Sequence, residues 1–254
     1  MKNFRIFLLP ITLLLVLSTT SWAIPTQITV RAKAHDAKFI GTAMAGVSVS
    51  ITDVSSAQVL DRGLILGGTG STDTLMKQPI KRGQSISNEK TASYNATIDI
   101  DEPTQVEIRI QGPQAGGLTA VKSSRTLWVL PGQDIQGDGI VFELYGFVVV
   151  PLIPHSNTKY DLGAAVELST YVTMMCGCPI EPKGLWDADN YQVTAWIWQD
   201  GKLINKIPMQ AGKSAGVFNA SFVPPTAGEY RVAFCASDSQ MNNYGVAYSG
   251  IAVK

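Results

Sequence analysis

Apolar and polar residues alternate with a period of two along most of this chain. Clear runs of this kind cover residues 28–34, 47–51, 94–100 and 106–110. Each run presents one apolar face and one polar face, which is the pattern of a half-buried strand. Turn residues separate the runs, and no window after residue 23 carries a helical stripe. The pattern therefore predicts an all-β protein built from β-sandwiches.

The alternation continues through the second half of the chain. Residues 166–176 form a long run with one apolar face, and Asp200-Gly201 between two further runs predicts a hairpin. After Gly146, an apolar stretch is interrupted by Pro151 and Pro154, which favours an edge strand or a short connector. The expected organisation is two sandwich domains, residues 24–146 and residues 147–254.

One region of the first half lacks this alternation. Residues 66–88 are polar and contain Gly67, Gly68 and Gly70, together with Lys77, Lys81 and Arg82. A solvated loop is the favoured interpretation, and a ligand-binding loop is the alternative because long ordered loops are often functional.

The beginning of the chain has the features of a secretory signal. Lys2 and Arg5 precede an apolar run over residues 7–17, and Ser21-Trp22-Ala23 offers small residues at both positions that a signal peptidase reads. We expect residues 1–23 to be a signal peptide, and the protein to be exported to the periplasm, the outer surface or the extracellular space. No later stretch is apolar enough to predict a transmembrane segment in the mature chain.

Charge and motif content exclude several functions. The chain holds 20 basic and 20 acidic residues, and removal of the signal with Lys2 and Arg5 leaves 18 against 20. This balance gives no reason to expect nucleic acid or an anionic membrane as partner.

The chain offers few catalytic motifs. Its two histidines, His35 and His155, fall in different predicted domains, and neither a His-Glu-x-x-His motif nor a phosphate loop is present. We expect a non-catalytic binding or structural module with a protein or cell-envelope partner.

The segment Met174-Met175-Cys176-Gly177-Cys178 holds four sulfur atoms within five residues. One interpretation pairs Cys176 or Cys178 with Cys235 in a structural disulfide and leaves one thiol over. A second is thiol–disulfide exchange through a Cys176–Cys178 bridge. A third is a Cu(I) site, because this soft ion prefers thiolate and thioether ligands. Its candidate ligands are Met174, Met175, Cys176, Cys178, Cys235 and Met241.

Trp196 and Trp198 share one face of a predicted strand. They are interpreted as core residues, and the alternative is an exposed aromatic stripe that binds carbohydrate or protein.

The last 100 residues resemble an immunoglobulin-like domain. The resemblance rests on a Cys in an early strand, Trp in the next, and Ala227-Gly228-Glu229-Tyr230-Arg231-Val232 leading into a late strand with Cys235. Tyr230, Val232 and Phe234 share one face, so alternation puts Cys235 on the other, away from the inter-sheet disulfide of antibody domains. The first domain resembles the transthyretin-like or carboxypeptidase-regulatory type of sandwich through Ala45-Gly46-Val47-Ser48-Val49. We expect it to be a transthyretin-like or immunoglobulin-like sandwich.

Overall fold

The computed structural model describes residues 22–156 and 158–254. The expected signal peptide lies outside the described residues except for Trp22 and Ala23. Within the described part, eighteen strands form the framework and helical structure is confined to short turns. The prediction of an all-β fold with two β-sandwiches is confirmed, and the second sandwich is immunoglobulin-like.

The first sandwich packs a three-stranded sheet, β4-β1-β7, against a four-stranded sheet, β3-β2-β5-β6. β1 pairs antiparallel with β4 and parallel with β7, so the first and last strands of this sandwich lie side by side. The strands are β1 (Ile24–Ala34), β2 (Val47–Asp53), β3 (Val59–Ile65), β4 (Tyr94–Ile100), β5 (Thr104–Gly112), β6 (Val121–Val129) and β7 (Ile135–Leu144). Short 3₁₀ turns occupy Thr42–Met44 and Gln114–Thr119, and a π turn occupies Asp73–Lys77.

The second sandwich packs the sheet β15-β16-β10-β8 against the sheet β14-β13-β17-β18-β9. Its strands are β8 (Phe147–Ile153), β9 (Thr158–Tyr160), β10 (Val166–Met174), β13 (Gln192–Gln199), β14 (Lys202–Pro208), β15 (Gln210–Ala211), β16 (Val217–Phe222), β17 (Gly228–Asp238) and β18 (Asn243–Val253). β11 (Ile180–Glu181) and β12 (Trp186–Asp187) form a small parallel pair, followed by a 3₁₀ turn at Ala188–Asn190.

Several local predictions agree with these strands. β8 lies at the edge of its sheet and contains Pro151, as expected for a residue that cannot donate to a ladder. β13 and β14 form the hairpin expected at Asp200-Gly201. The predicted strand through residue 176 ends at Met174, so Cys176 lies in the turn that follows.

A tyrosine corner marks the second sandwich as immunoglobulin-like. The Tyr230 hydroxyl donates to the Thr226 carbonyl oxygen over 2.7 Å, and Tyr230 is buried at the start of β17. Its ring meets Phe222 edge-on from the opposite sheet, with ring centroids 5.8 Å apart. The resemblance of the first sandwich to transthyretin-like domains stays a prediction.

The segment over residues 66–92 is a long loop that covers the outer face of β1. Arg31, buried on that face, donates through Nη1 to the carbonyl oxygens of Thr91 (2.6 Å) and Ala92 (2.9 Å). The Asp138 carboxylate on β7 accepts hydrogen bonds from the backbone amides of Ile86 and Ser87. The loop therefore has a structural role, because it shields Arg31 and pairs its Nη1, although the buried Nε has no hydrogen-bond partner among the described residues.

Acid is expected to loosen this loop through Asp138. Burial alone would raise the pKa of Asp138, but hydrogen bonds from Ser87, Ile86 and Ser85 outweigh burial and lower it. The folded-state pKa of Asp138 is below its unfolded value of about 3.9. The ionised carboxylate therefore stabilises the fold fully above a pH of about 3.9, and this stabilisation is lost as pH falls through the folded-state pKa. Urea unfolding of wild type and Asp138→Asn should differ at pH 6, and the difference should be smaller at pH 3. An equal difference at both pH values would contradict this assignment.

No helix among residues 22–156 and 158–254 has the length and apolar character to cross a membrane.

Candidate functional site

The two sandwiches meet at a junction where the chain passes from β7 to β8. Only Tyr145 and Gly146 separate these strands. Asn243, fully buried at the start of β18, accepts a hydrogen bond from the Gly146 amide and donates to the Gly146 carbonyl oxygen over 3.3 Å. The Trp186 indole donates to the Asp36 carbonyl oxygen over 2.9 Å. Polar contacts between the two sandwiches therefore fix the junction at more than one point.

His35 adds a further link across the junction. Its ring stacks on Tyr145 with centroids 3.9 Å apart, and its Nε2 lies 2.8 Å from the Met241 carbonyl oxygen in the β17–β18 hairpin. Nδ1 lies 3.0 Å from Glu143. These contacts give His35 a positioning role in the structure, with both ring nitrogens engaged.

The Cys-Gly-Cys turn lies beside this junction. A disulfide joins Cys176 to Cys178, whose side chains are 1% and 6% exposed, and the Gly177 amide donates to the Met174 carbonyl oxygen over 2.8 Å. Gly177 has φ of 77°, and a Cβ there would approach the Met44 sulfur to 2.8 Å. The backbone conformation therefore favours glycine, and a methionine of the first sandwich packs closely against it.

Met44 is a neighbour of the turn that sequence reasoning missed. It lies in a 3₁₀ turn of the first sandwich, more than 130 residues away in sequence, and is 9% exposed. No local pattern around Met44 distinguishes it from an ordinary core methionine.

The structure brings together only part of the candidate metal set. Met174, Met175, Cys176 and Cys178 are all buried at the junction. Met241 is 38% exposed in the β17–β18 hairpin. Cys235 is a free thiol on the outer face of β17, opposite Thr194 and Val246. Burial raises the pKa of Cys235, and Lys206 partly opposes this.

The favoured disulfide is not the one that the structure has. Cys235 points outward, as alternation after Phe234 predicted, while Cys176 and Cys178 turn into the interior and pair with each other. The expected bridge from Cys176 or Cys178 to Cys235 is therefore wrong. The physical reason is that Gly177 lets the chain reverse within one turn, which brings the two nearer thiols together.

The outer face of the five-stranded sheet carries a group of aromatic and aliphatic side chains, which we call the aromatic face. Tyr244 and Tyr248 are 57% and 60% exposed. Trp196 and Trp198 lie half-buried on the same side, while Val193, Ala195 and Ile197 point into the core. The interpretation of both tryptophans as core residues is therefore wrong. The aromatic face comprises Trp196, Trp198, Tyr244, Val246 and Tyr248.

Two cations order this surface. Lys206 Nζ lies 3.6 Å from the centroid of the Trp196 ring. The Arg231 guanidinium lies 4.7 Å from the Trp198 ring centroid and 5.6 Å from that of Tyr248. Such cation–π contacts hold flat side chains in place and keep positive charge between them. The aromatic face is consequently a preformed surface with exposed rings and cationic edges.

A serine-hydrolase pattern, Gly212-Lys213-Ser214-Ala215-Gly216, is also present in the sequence. It connects β15 to β16, so it lies in a hairpin connection between antiparallel strands. A nucleophile elbow requires a strand-to-helix turn, and here a strand follows. The pattern therefore lacks the context for nucleophilic catalysis.

The fold defines the class: a two-sandwich all-β protein with an immunoglobulin-like second domain. No known family model matches this chain, and no curated protein matches its sequence. Among solved structures it is similar to the fibronectin(III)-like modules of Clostridium thermocellum CbhA, with 10% identity over 91% of this chain and 94% of that one, at a TM-score of 0.31. The chain is also similar to the chicken interferon gamma receptor alpha chain, with 12% identity over 91% of this chain and 98% of that one, at a TM-score of 0.32. A third similar structure is that of titin domains z1z2 in complex with telethonin, with 14% identity over 91% of this chain and 95% of that one, at a TM-score of 0.26.

Proposed function

We propose that this chain is an exported, non-catalytic binding module that engages a protein partner through the aromatic face. The observation that carries the proposal is the exposure of Tyr248 beside Arg231, with Tyr244 exposed farther along the same sheet surface. Tyr, Trp and Arg dominate the energetics of protein interfaces because they bury large areas and retain a polar group. The cations favour a partner surface that carries carboxylates.

Export is the sequence-based part of this proposal. It rests on the charged start, the apolar run over residues 7–17 and the small residues before Ile24. Recovery of a processed chain beginning at Ile24 outside the cytoplasm supports it, and a cytoplasmic chain that keeps residues 1–23 contradicts it.

Photo-crosslinking in the producing cell tests the aromatic face. A photoreactive residue at Tyr248 should yield a discrete crosslinked species, and adding Arg231→Glu should reduce its yield about tenfold, the effect of losing one strong interface contact. The matched control is the same probe at Trp128, which is 64% exposed on the first sandwich. Equal crosslinking from both positions would remove the aromatic face as the binding surface. Turnover of ester, glycoside or peptide substrates by the pure protein would overturn the non-catalytic part.

A second candidate function is binding of Cu(I) at the Cys-Gly-Cys turn. The specific observation is the Met44 thioether against Gly177, which adds a soft ligand to Met174, Met175 and the two cysteines. Thiolates and thioethers are the ligands that Cu(I) prefers. Reduction of the disulfide would have to precede binding, because a metal takes the thiolate form.

Titration with Cu(I) after reduction distinguishes this candidate. We expect one equivalent to bind, binding to disappear in Cys176→Ser with Cys178→Ser, and Met44→Leu to weaken it. Cys235→Ser and Met241→Leu are matched controls, since both residues lie apart from the turn. Alkylation mapping of the oxidised protein should first find Cys235 as the free thiol. No binding by the reduced wild type would exclude the copper candidate.

Thiol–disulfide exchange is the third candidate. The structure contains the Cys176–Cys178 bridge that this candidate requires. However, exchange needs an attacking thiolate to reach a sulfur, and both cysteines are buried. Burial therefore favours a structural disulfide in the oxidised protein.

A further inference from the structure

The outer face of the sheet β3-β2-β5-β6 contains a second surface, separate from the aromatic face, which we call the basic groove. It is an open groove of about 570 Å³, and its lining combines hydroxyl, amide and cationic side chains with Val49 and Ile110. Ser48 and Ser50 on the central strand β2 form its floor. The walls are Arg62, Arg109, Gln111 and Lys122.

Strand register explains why a hollow forms here. Ser50 lies directly opposite Arg62 on β3 and opposite Arg109 on β5. Because strands are about 4.8 Å apart, the two arginines start about 10 Å from each other with a short serine between them. The long side chains therefore border a floor that offers hydroxyl groups.

The groove is strongly cationic, although the chain as a whole has no excess of basic residues. Arg62, Arg109 and Lys122 are all exposed. Among the residues that the described strands place on this face, the acidic one is Glu107. Its Oε2 lies 2.7 Å from Arg109 Nη2. A guanidinium has five N–H donors, so Arg109 keeps donors for a ligand while it is paired.

We propose that the basic groove binds an acidic polysaccharide through its carboxylates and hydroxyls. The Ser50 hydroxyl and the Gln111 amide can both donate to and accept from sugar hydroxyls, and the three cations pair with carboxylates. The Ser48 hydroxyl donates to the Gln111 carbonyl oxygen and can accept from a sugar hydroxyl. The lining has no aromatic side chain on which a nucleic acid base could stack. The apolar lining residues Val49 and Ile110 are buried, so they offer little surface to the anchoring side chains of a peptide. A flat bilayer surface does not reach a recessed floor.

Calorimetric titration of the mature protein with alginate oligosaccharides tests the proposal, with neutral dextran of equal length as the comparison ligand. We expect alginate to bind, dextran not to bind, and added salt to weaken binding because exposed charges are screened. The triple variant Arg62→Gln, Arg109→Gln, Lys122→Gln should lose about tenfold or more in affinity, since three exposed charge contacts are removed. Glu107→Gln should bind alginate more tightly than wild type.

The matched control removes three exposed cations elsewhere: Lys81→Gln, Arg82→Gln and Lys90→Gln in the loop over β1. This variant has the same net charge as the groove variant and should bind alginate like wild type. Equal losses in both triple variants would show attraction to overall charge and overturn the proposal, as would equal binding of dextran. Tighter binding of poly-glutamate than of alginate would show that the groove prefers an acidic peptide and would overturn the proposal of a polysaccharide ligand. Circular dichroism confirms that each variant is folded.

Discussion

Replacing Arg31 by Met is expected to destabilise the protein by about 3 kcal/mol, because the substitution leaves buried carbonyl oxygens unpaired. The guanidinium donates to Thr91 and Ala92 and lies 3.4 Å from the Gly137 carbonyl oxygen. It is 6% exposed, and desolvation lowers its pKa while Asp138 acts in the opposite direction. Met keeps much of the side-chain volume and removes every donor. Urea unfolding near neutral pH measures the loss.

Arg82→Met is the control for Arg31→Met, because Arg82 is exposed in the same loop. We expect its unfolding midpoint to match wild type. Limited proteolysis adds a local readout: cleavage over residues 73–90 should accelerate in Arg31→Met, since the loop loses its attachment to β1. Unchanged stability together with unchanged cleavage would show that Arg31 does not hold the loop.

Replacing Asn243 by Leu is expected to cost about 3 kcal/mol and to loosen the junction between the sandwiches, because two buried polar groups of Gly146 lose their partners. The Asn243 side chain contacts both the amide and the carbonyl of Gly146. Leu fills a similar volume, so loss of hydrogen bonds dominates over cavity formation. Urea unfolding measures the free energy, and small-angle scattering measures the change in overall dimensions.

The comparison for Asn243→Leu is Asn190→Leu, which places the same side chain at an exposed position in a 3₁₀ turn. Asn190→Leu should unfold and scatter like wild type. If Asn243→Leu shifted the unfolding midpoint no more than Asn190→Leu does, the junction would have to depend on other contacts.

Most strands followed from alternation, but the sheet order did not. β2, β4, β5 and β13 carry regular alternation because one face packs on the core and the other meets solvent. β7 is different, since Gly137 and Gly139 both have positive φ and interrupt its pattern. Its parallel pairing with β1, across more than 100 residues of sequence, leaves no local signal.

The candidate sites were predictable to different degrees. The sulfur-rich segment was evident from residues 174–178, whereas Met44 joins it through the packing of two domains, which no local pattern reports. For Trp196 and Trp198, alternation established a shared face but not its direction. The available signal was that Val193, Ala195 and Ile197 form an aliphatic face. The tryptophans therefore share the opposite face with the polar residues Gln192 and Thr194. The tendency of large aromatic rings to be buried outweighed this signal.

The parallel pairing of β1 with β7 has a mechanical consequence. In a parallel ladder the start of one strand and the end of the other lie at opposite ends, here Ile24 and Leu144. Tension applied along the chain through these two residues loads the hydrogen bonds in shear, so they must rupture together instead of opening one by one. A protein anchored at one end and pulled through its second sandwich would therefore resist extension in its first.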